Sequence, residues 1–314
     1  MDKDSAGTLA VILGAAAFPK YPDLKGGEAF AASARVLEDC LASQFGADWK
    51  QTHLLNLFNS EDVPRGQLRS LREFCTAHAE SQRLLIYYVG HGGFFGGQNY
   101  YLALHTTEKG DEPYTGLEIR NLALVLDQCF AGRRVVLILD CCFAAEAMAQ
   151  FQDAGAVSRA VESETFNAFP ASGTSLLCAS SKDDMALWQG TAKRTMFSEC
   201  LTDVLASGIP GKGEKLNLRE VGEAVETLVL TRFGHKGVRP EVHSPRQRGA
   251  DVAREPLFRN VAYRPPEPKR LPAEITDALR NPLPRVRIGG VTELSGPGRS
   301  RGSGGAGADP GPVT

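Results

Sequence analysis

Four apolar runs constrain this chain more than any other feature: "TLAVIL" (8–13), "RLLIYYV" (83–89), "RVVLILD" (134–140) and "TSLLCAS" (174–180). They lack the polar alternation of a half-exposed strand, so they read as strands buried on both faces. Between them apolar residues recur every three or four positions, as in Phe30, Ala34, Leu37, Leu41 and Phe45, or Leu68, Leu71, Phe74 and Cys75. That period reads as helices lying over the strands. "HLLNLF" (53–58) and "RPEVHS" (239–244) supply a second and a last strand. The expectation is an α/β fold: a doubly wound, mostly parallel six-stranded sheet with helices on both faces. In such a sheet chemistry gathers beyond the carboxyl ends of the strands.

Composition narrows the classes. The 314 residues carry a formal net charge of -2 and are 42% hydrophobic, so neither a nucleic-acid nor a membrane-surface partner is expected. No stretch approaches the roughly 18 consecutive apolar residues of a membrane span. "LAVILGAAAF" follows Asp2, Lys3 and Asp4, without the positive flank of a secretory leader, and reads as a first strand. The seven cysteines include no C-x-x-C pair, and Cys141 and Cys142 are adjacent, so neither a disulfide framework nor a zinc site is expected. A cytoplasmic location follows.

The folded domain is expected over residues 1–262, divided into 6–150, a long loop 151–173, and 174–262. Residues 263–314 read as a linker or disordered tail, holding nine of the eighteen prolines and ending "GPGRSRGSGGAGADPGPVT". Within that tail "PAEITDALRN" has the pattern of a short helix.

One histidine sits among glycines at the end of the third strand, in "YYVGHGGFFGG" (87–97). A phosphate cradle would lead into a helix, whereas this stretch leads into the strand-like "NYYLAL" (99–104). His91 instead projects over the sheet's carboxyl edge. Gly90, Gly92 and Gly93 clear space for a substrate backbone, or merely form a hairpin whose histidine is satisfied by a carbonyl. The fourth strand ends at that same edge in "DCCFAAEA", with Asp140, Cys141 and Cys142. A thiol beside a base is a nucleophile, and His91 precedes Cys142 by about 50 residues, the order and spacing found in caspases.

These segments resemble the caspase-like clan of cysteine peptidases: "LLIYYVGHGG" its histidine motif, "VVLILDCCFAAEA" its nucleophile motif, "NLFNSED", "LLCASSKDDMAL" and "RPEVHSP…PLFRNVAYR" its remaining segments. The resemblance covers nearly all of residues 8–262 and is closest to bacterial members, several of which look like effectors of defence or programmed death. It implies an endopeptidase with Cys142 as nucleophile, His91 as its partner, and the amides of Gly92 and Cys142 as an oxyanion hole. It also implies a protein or peptide substrate and an upstream sensor or partner protein. Asp140 stands two residues before the nucleophile, where metacaspases also have aspartate, and implies cleavage after arginine or lysine; alternatively it only receives structural hydrogen bonds. Ser180, Asp183 and Asp184 after the fifth strand are further substrate-binding candidates, the two aspartates reading equally as a solvated turn. Trp188 lines a subsite or is buried.

Cys141, one position off, should face the opposite side of the sheet. No cofactor is expected: the calcium of many metacaspases needs an acidic cluster, and Asp153, Glu162 and Glu164 are scattered. Arg159 is a candidate for maturation cleavage. His53, His78, His105, His235 and His243 read as structural or surface residues. The rival reading is a catalytically silent scaffold or switch of the same fold; an acyl hydrolase is disfavoured by the missing G-x-S-x-G elbow.

Overall fold

The computed structural model describes residues 7–96, 99–143, 160–161, 163–165, 167–169, 173–180, 193–234, 239–244, 251–265 and 273–288, without the side chains at 142, 143, 180 and 239. Six strands form the main path of the sheet in the order β2–β1–β3–β6–β7–β9. They are β1 (Thr8–Gly14), β2 (Leu54–Asn56), β3 (Arg83–Phe95), β6 (Arg134–Phe143), β7 (Thr174–Ser180) and β9 (Arg239–His243). All neighbours on that path are parallel except β9, which runs antiparallel to β7. Two short strands, β4 (Asn99–Leu102) and β5 (Leu117–Glu118), extend the sheet to eight. A separate ribbon pairs β8 (Lys215–Asn217) with β10 (Pro256–Arg259), which the sequence pattern did not suggest.

Period-two alternation sorts the apolar runs into two cores. Leu85, Tyr87, Val89, Val136, Ile138, Leu177 and Ala179 face one side. There they meet α1 (Glu28–Phe45), α6 (Met196–Ser207) and α7 (Leu218–Phe233) through residues such as Phe30, Leu37, Phe197 and Val225. Leu84, Ile86, Tyr88, Leu137, Leu139, Cys141 and Cys178 face the other side. Their cover comes from α3 (Pro64–Ala77) and α5 (Ile119–Cys129), through Leu71, Cys75, Leu122 and Leu126. Both faces are thus buried, as the unbroken apolar runs require.

Local differences from the sequence reading have physical causes. The expected second strand is only Leu54–Asn56, because α2 (Ala47–His53) precedes it and anchors through Trp49, whose indole N–H donates to the Thr8 carbonyl at 2.7 Å. Part of the expected loop, between 160 and 169, is helical where described, and buries Val161 and Phe169 in the second core. The larger difference concerns the glycines. β3 does not end before them but runs through Gly90, His91, Gly92 and Gly93 to Phe95, pairing antiparallel with β4. A Cβ at Gly92 would fall 2.4 Å from the Tyr100 hydroxyl, and one at Gly93 2.6 Å from the Tyr101 ring. The missing side chains therefore admit the hairpin's own tyrosines, not the backbone of a visitor. The chain divides after Arg264, and the described part of the following segment contains α8 (Ala273–Arg280), none of whose residues is buried.

Candidate active site

The strand order reverses between β1 and β3, and the carboxyl ends of β3 and β6 lie side by side next to that reversal. This is the crevice in which doubly wound sheets bind ligands. The parallel register pairs Val89 with Asp140, Gly90 with Cys141, His91 with Cys142 and Gly92 with Phe143. His91 and Cys142 are thus direct cross-strand partners at the last rungs of the ladder.

His91 is 9% exposed and sits between two phenyl rings, Phe18 at 5.2 Å and Phe30 at 5.4 Å, both edge-on. Its Nε2 lies 2.8 Å from the Lys25 carbonyl oxygen. A carbonyl can only accept, so in the neutral ring Nε2 carries the hydrogen and Nδ1 the basic lone pair. Lys25 belongs to the connection between β1 and α1, which crosses over the strand ends. The fit there is tight: a Cβ at the neighbouring Gly26 would come within 2.0 Å of the Ala16 carbonyl oxygen. A carbonyl partner for this histidine was one of the two sequence readings; that the carbonyl is Lys25's has no side-chain signature.

The peptide groups of the seam follow from hydrogen bonds at its other end. Arg134 N–H donates to Gln82 O and Arg83 N–H to Gly7 O, each at 3.0 Å. Even-numbered residues of β3 therefore pair with β6 and odd-numbered ones with β1. Beyond the end of β1, β4 takes the odd side, where Ala103 N–H donates to His91 O at 2.8 Å. Carried along the register, this parity turns the Gly92 N–H toward Cys142 O and the Cys142 N–H toward Gly90 O. Both amides lie in the seam between the strand ends.

Asp140 is 1% exposed. Its Oδ2 accepts from the Tyr87 hydroxyl at 2.9 Å and the Thr195 hydroxyl at 2.6 Å, while Oδ1 is buried with no partner among the described residues. Burial pushes the carboxyl up from 3.8 to about 6, against the opposing pull of the hydrogen bonds from Thr195 and Tyr87. Burial, reinforced by the Asp140 charge, pushes the Tyr87 phenol well above its ordinary range and keeps it a donor. Thr195 is also the N-cap of α6, accepting from Ser198 N–H at 3.0 Å, and its own amide donates to Ser33 Oγ of α1 at 3.0 Å. The carboxylate is thereby tied to β3, α6 and α1 at once. Neither Tyr87 nor Thr195 was singled out in the sequence, where Tyr87 lies within an apolar run.

Cys141 lies on the other face, as its position requires. It is 1% exposed, its sulfur lies 3.2 Å from the Tyr100 hydroxyl, and burial pushes its thiol up to about 12. Asp153, Arg159, Glu162, Asp183, Asp184, Trp188 and His235 lie outside the described residues, as do the side chains of Cys142 and Ser180. Glu164 pairs with Arg120 at 3.2 Å. The other described histidines have local partners: the His53 and His78 rings meet at 5.1 Å, His105 Nδ1 lies 3.0 Å from Ala17 O, and His243 lies 3.2 Å from Glu241. Among the described residues no helix is long and apolar enough to cross a membrane.

Comparison with known proteins bears on the family and the fold. The family model of the caspase domain matches residues 8–248. Among solved structures the chain is similar to the protein GSU0716 of Geobacter sulfurreducens, at 16% identity and a TM-score of 0.52, over 81% of this chain and 98% of that one. At that identity the likeness is one of fold. No curated protein matches.

Proposed function

We propose, for a chain that belongs to the caspase-domain family of cysteine peptidases, an endopeptidase in which Cys142 attacks, His91 moves the proton, and Asp140 selects arginine or lysine before the cut. The observation that carries this reading is the cross-strand pairing of His91 with Cys142 at the open end of the sheet.

The chemistry follows from the groups present. With Nε2–H held by Lys25 O, the Nδ1 lone pair of His91 serves as base for the Cys142 thiol. The thiolate adds to the peptide carbonyl carbon, and the oxygen takes the negative charge. Amides of Gly92 and Cys142 facing that oxygen would stabilise it by about 3 kcal/mol each. They become available as the last rungs of the seam part to admit the substrate carbonyl. Collapse breaks the C–N bond, and the imidazolium protonates the leaving amine. Water, deprotonated by His91, then adds to the thioester and releases the acid and the thiol. Asp140 receives the cation: a guanidinium replaces the partner that Oδ1 lacks and offsets the cost of burying the charge. Ser180, Asp183 and Asp184 complete the substrate cleft in this reading. The cytoplasmic location rests on cysteine usage, and a role in bacterial defence or programmed death is carried by the family resemblance alone.

The test is a set of fluorogenic peptides differing only in the residue before the cut. Arginine and lysine are expected to be cleaved, arginine faster, with kcat/KM at least about 100-fold above aspartate. No calcium requirement is expected. A preference for aspartate, or no cleavage of any peptide with or without calcium, would contradict the proposal and favour a silent scaffold.

The Lys25 contact gives a second expectation. Gly26→Ala must displace the turn from Ala16 and with it the carbonyl that orients His91. We expect kcat to fall roughly 10- to 100-fold with KM nearly unchanged, the scale of one positioning hydrogen bond. Steady-state kinetics checks it, and a change confined to KM would exclude the positioning role.

A further inference from the structure

On the sheet face opposite Tyr87, α3 and α5 border a groove of about 710 Å³, completed by the short helix α4 (Glu112–Thr115). Arg65, Arg69 and Arg72 line one wall, with Leu68 among them; Tyr114 and Leu124 stand on the other, and among the described residues no acidic residue lines it. Positions 65, 69 and 72 fall on one face of α3. All three arginines are exposed, and none of their guanidiniums is ion-paired or hydrogen-bonded among the described residues. Tyr114 is 80% exposed and Leu124 60%. A single exposed leucine is ordinary. An aromatic and a leucine facing three unneutralised guanidiniums across a groove are the residue types that dominate protein interfaces.

We propose that this groove docks an acidic amphipathic helix of a partner protein, with carboxylates along α3 and aliphatic side chains against Leu68, Leu124 and Tyr114. The spacing decides the occupant. Seven residues of helix separate the outer arginines by about 10 Å, so the three charges are strung out instead of converging on one anion. A phosphate or nucleotide needs convergence; glutamates at i, i+4 and i+7 of a helix laid along the groove match the row. Nucleic acid would leave the apolar wall without a role, and the chain's net charge of -2 gives it no wider basic surface.

The experiment uses the full chain and a fluorescein-labelled helical peptide carrying glutamates at i, i+4 and i+7 with leucines on the adjoining stripe. A glutamine-for-glutamate peptide and a labelled single-stranded DNA serve as comparators, and anisotropy reports binding. Saturable binding of the acidic peptide is expected. It should weaken about 10-fold or more with the glutamine peptide, with Arg65→Glu/Arg69→Glu/Arg72→Glu, and separately with Leu124→Asp. All four positions are exposed, so folding is not at stake. No saturable binding, binding indifferent to the substitutions, or DNA bound as tightly through the same arginines would overturn the proposal. Because the readout is binding, it stands apart from any outcome of the peptidase assays.

Discussion

Cys142→Ala should reduce kcat for an arginyl peptide by at least about 10⁴-fold, leaving no covalent route to the acyl-enzyme. His91→Ala should cost about 10²- to 10⁴-fold, the usual contribution of a positioned base. Cys141→Ala is the informative control. Its thiol is sealed in the second core against Tyr100, so its loss removes packing and a hydrogen-bond partner. We expect activity within a few-fold of the parent and stability lower by about 1–2 kcal/mol. Kinetics and thermal melts on the three variants check the assignment. A dead Cys141→Ala enzyme beside an active Cys142→Ala enzyme would reverse it.

Asp140→Asn should abolish the basic preference and stabilise the protein at neutral pH. The native carboxyl is raised from 3.8 to about 6 by burial, so the folded state holds its proton more tightly than the unfolded one. Its contribution is therefore most favourable below pH 4 and is lost as pH rises through about 6, an effect of about 3 kcal/mol. Asparagine carries no charge and keeps an acceptor for Tyr87 and Thr195, but places an amide where Oδ1 lacks a partner. Some of the gain is offset by that unmet donor. We expect the variant to melt a few degrees higher than the parent at pH 7.5 and at nearly the same temperature near pH 4. In the parent, arginine selectivity should decline as pH falls through about 6 and the carboxylate protonates. Retained selectivity in Asp140→Asn, or a lower melting temperature at pH 7.5, would remove Asp140 from the cation site.

What the sequence disclosed depended on period and position. The apolar runs at 83–89 and 134–140 read as buried strands, and adjacent parallel strands bring their carboxyl ends within side-chain reach; that these two strands are adjacent and pair His91 with Cys142 comes from the structure. Parity assigned Cys141 to the opposite face. Other features have no signature of that kind. β3 continues past Gly90 because Tyr100 and Tyr101 fill the space at Gly92 and Gly93, an interaction between two arms of a hairpin. The Lys25 carbonyl is invisible in a side-chain alphabet. Thr195, the N-cap of α6, was not singled out, and its bond to Asp140 spans 55 residues.

The central claim is that one thiol, at the strand end beside His91, does the chemistry. Among the described cysteines the best-placed competitor is Cys129, lowered by its hydrogen bond from Cys75 and, more weakly, by Arg133. Treating the protein with an arginyl chloromethyl ketone and locating the adduct by peptide mass mapping separates them. Stoichiometric modification of Cys142, strongly slowed in His91→Ala, is the expected result; an adduct on Cys129 or Cys141, or labelling of Cys142 indifferent to His91, would contradict it.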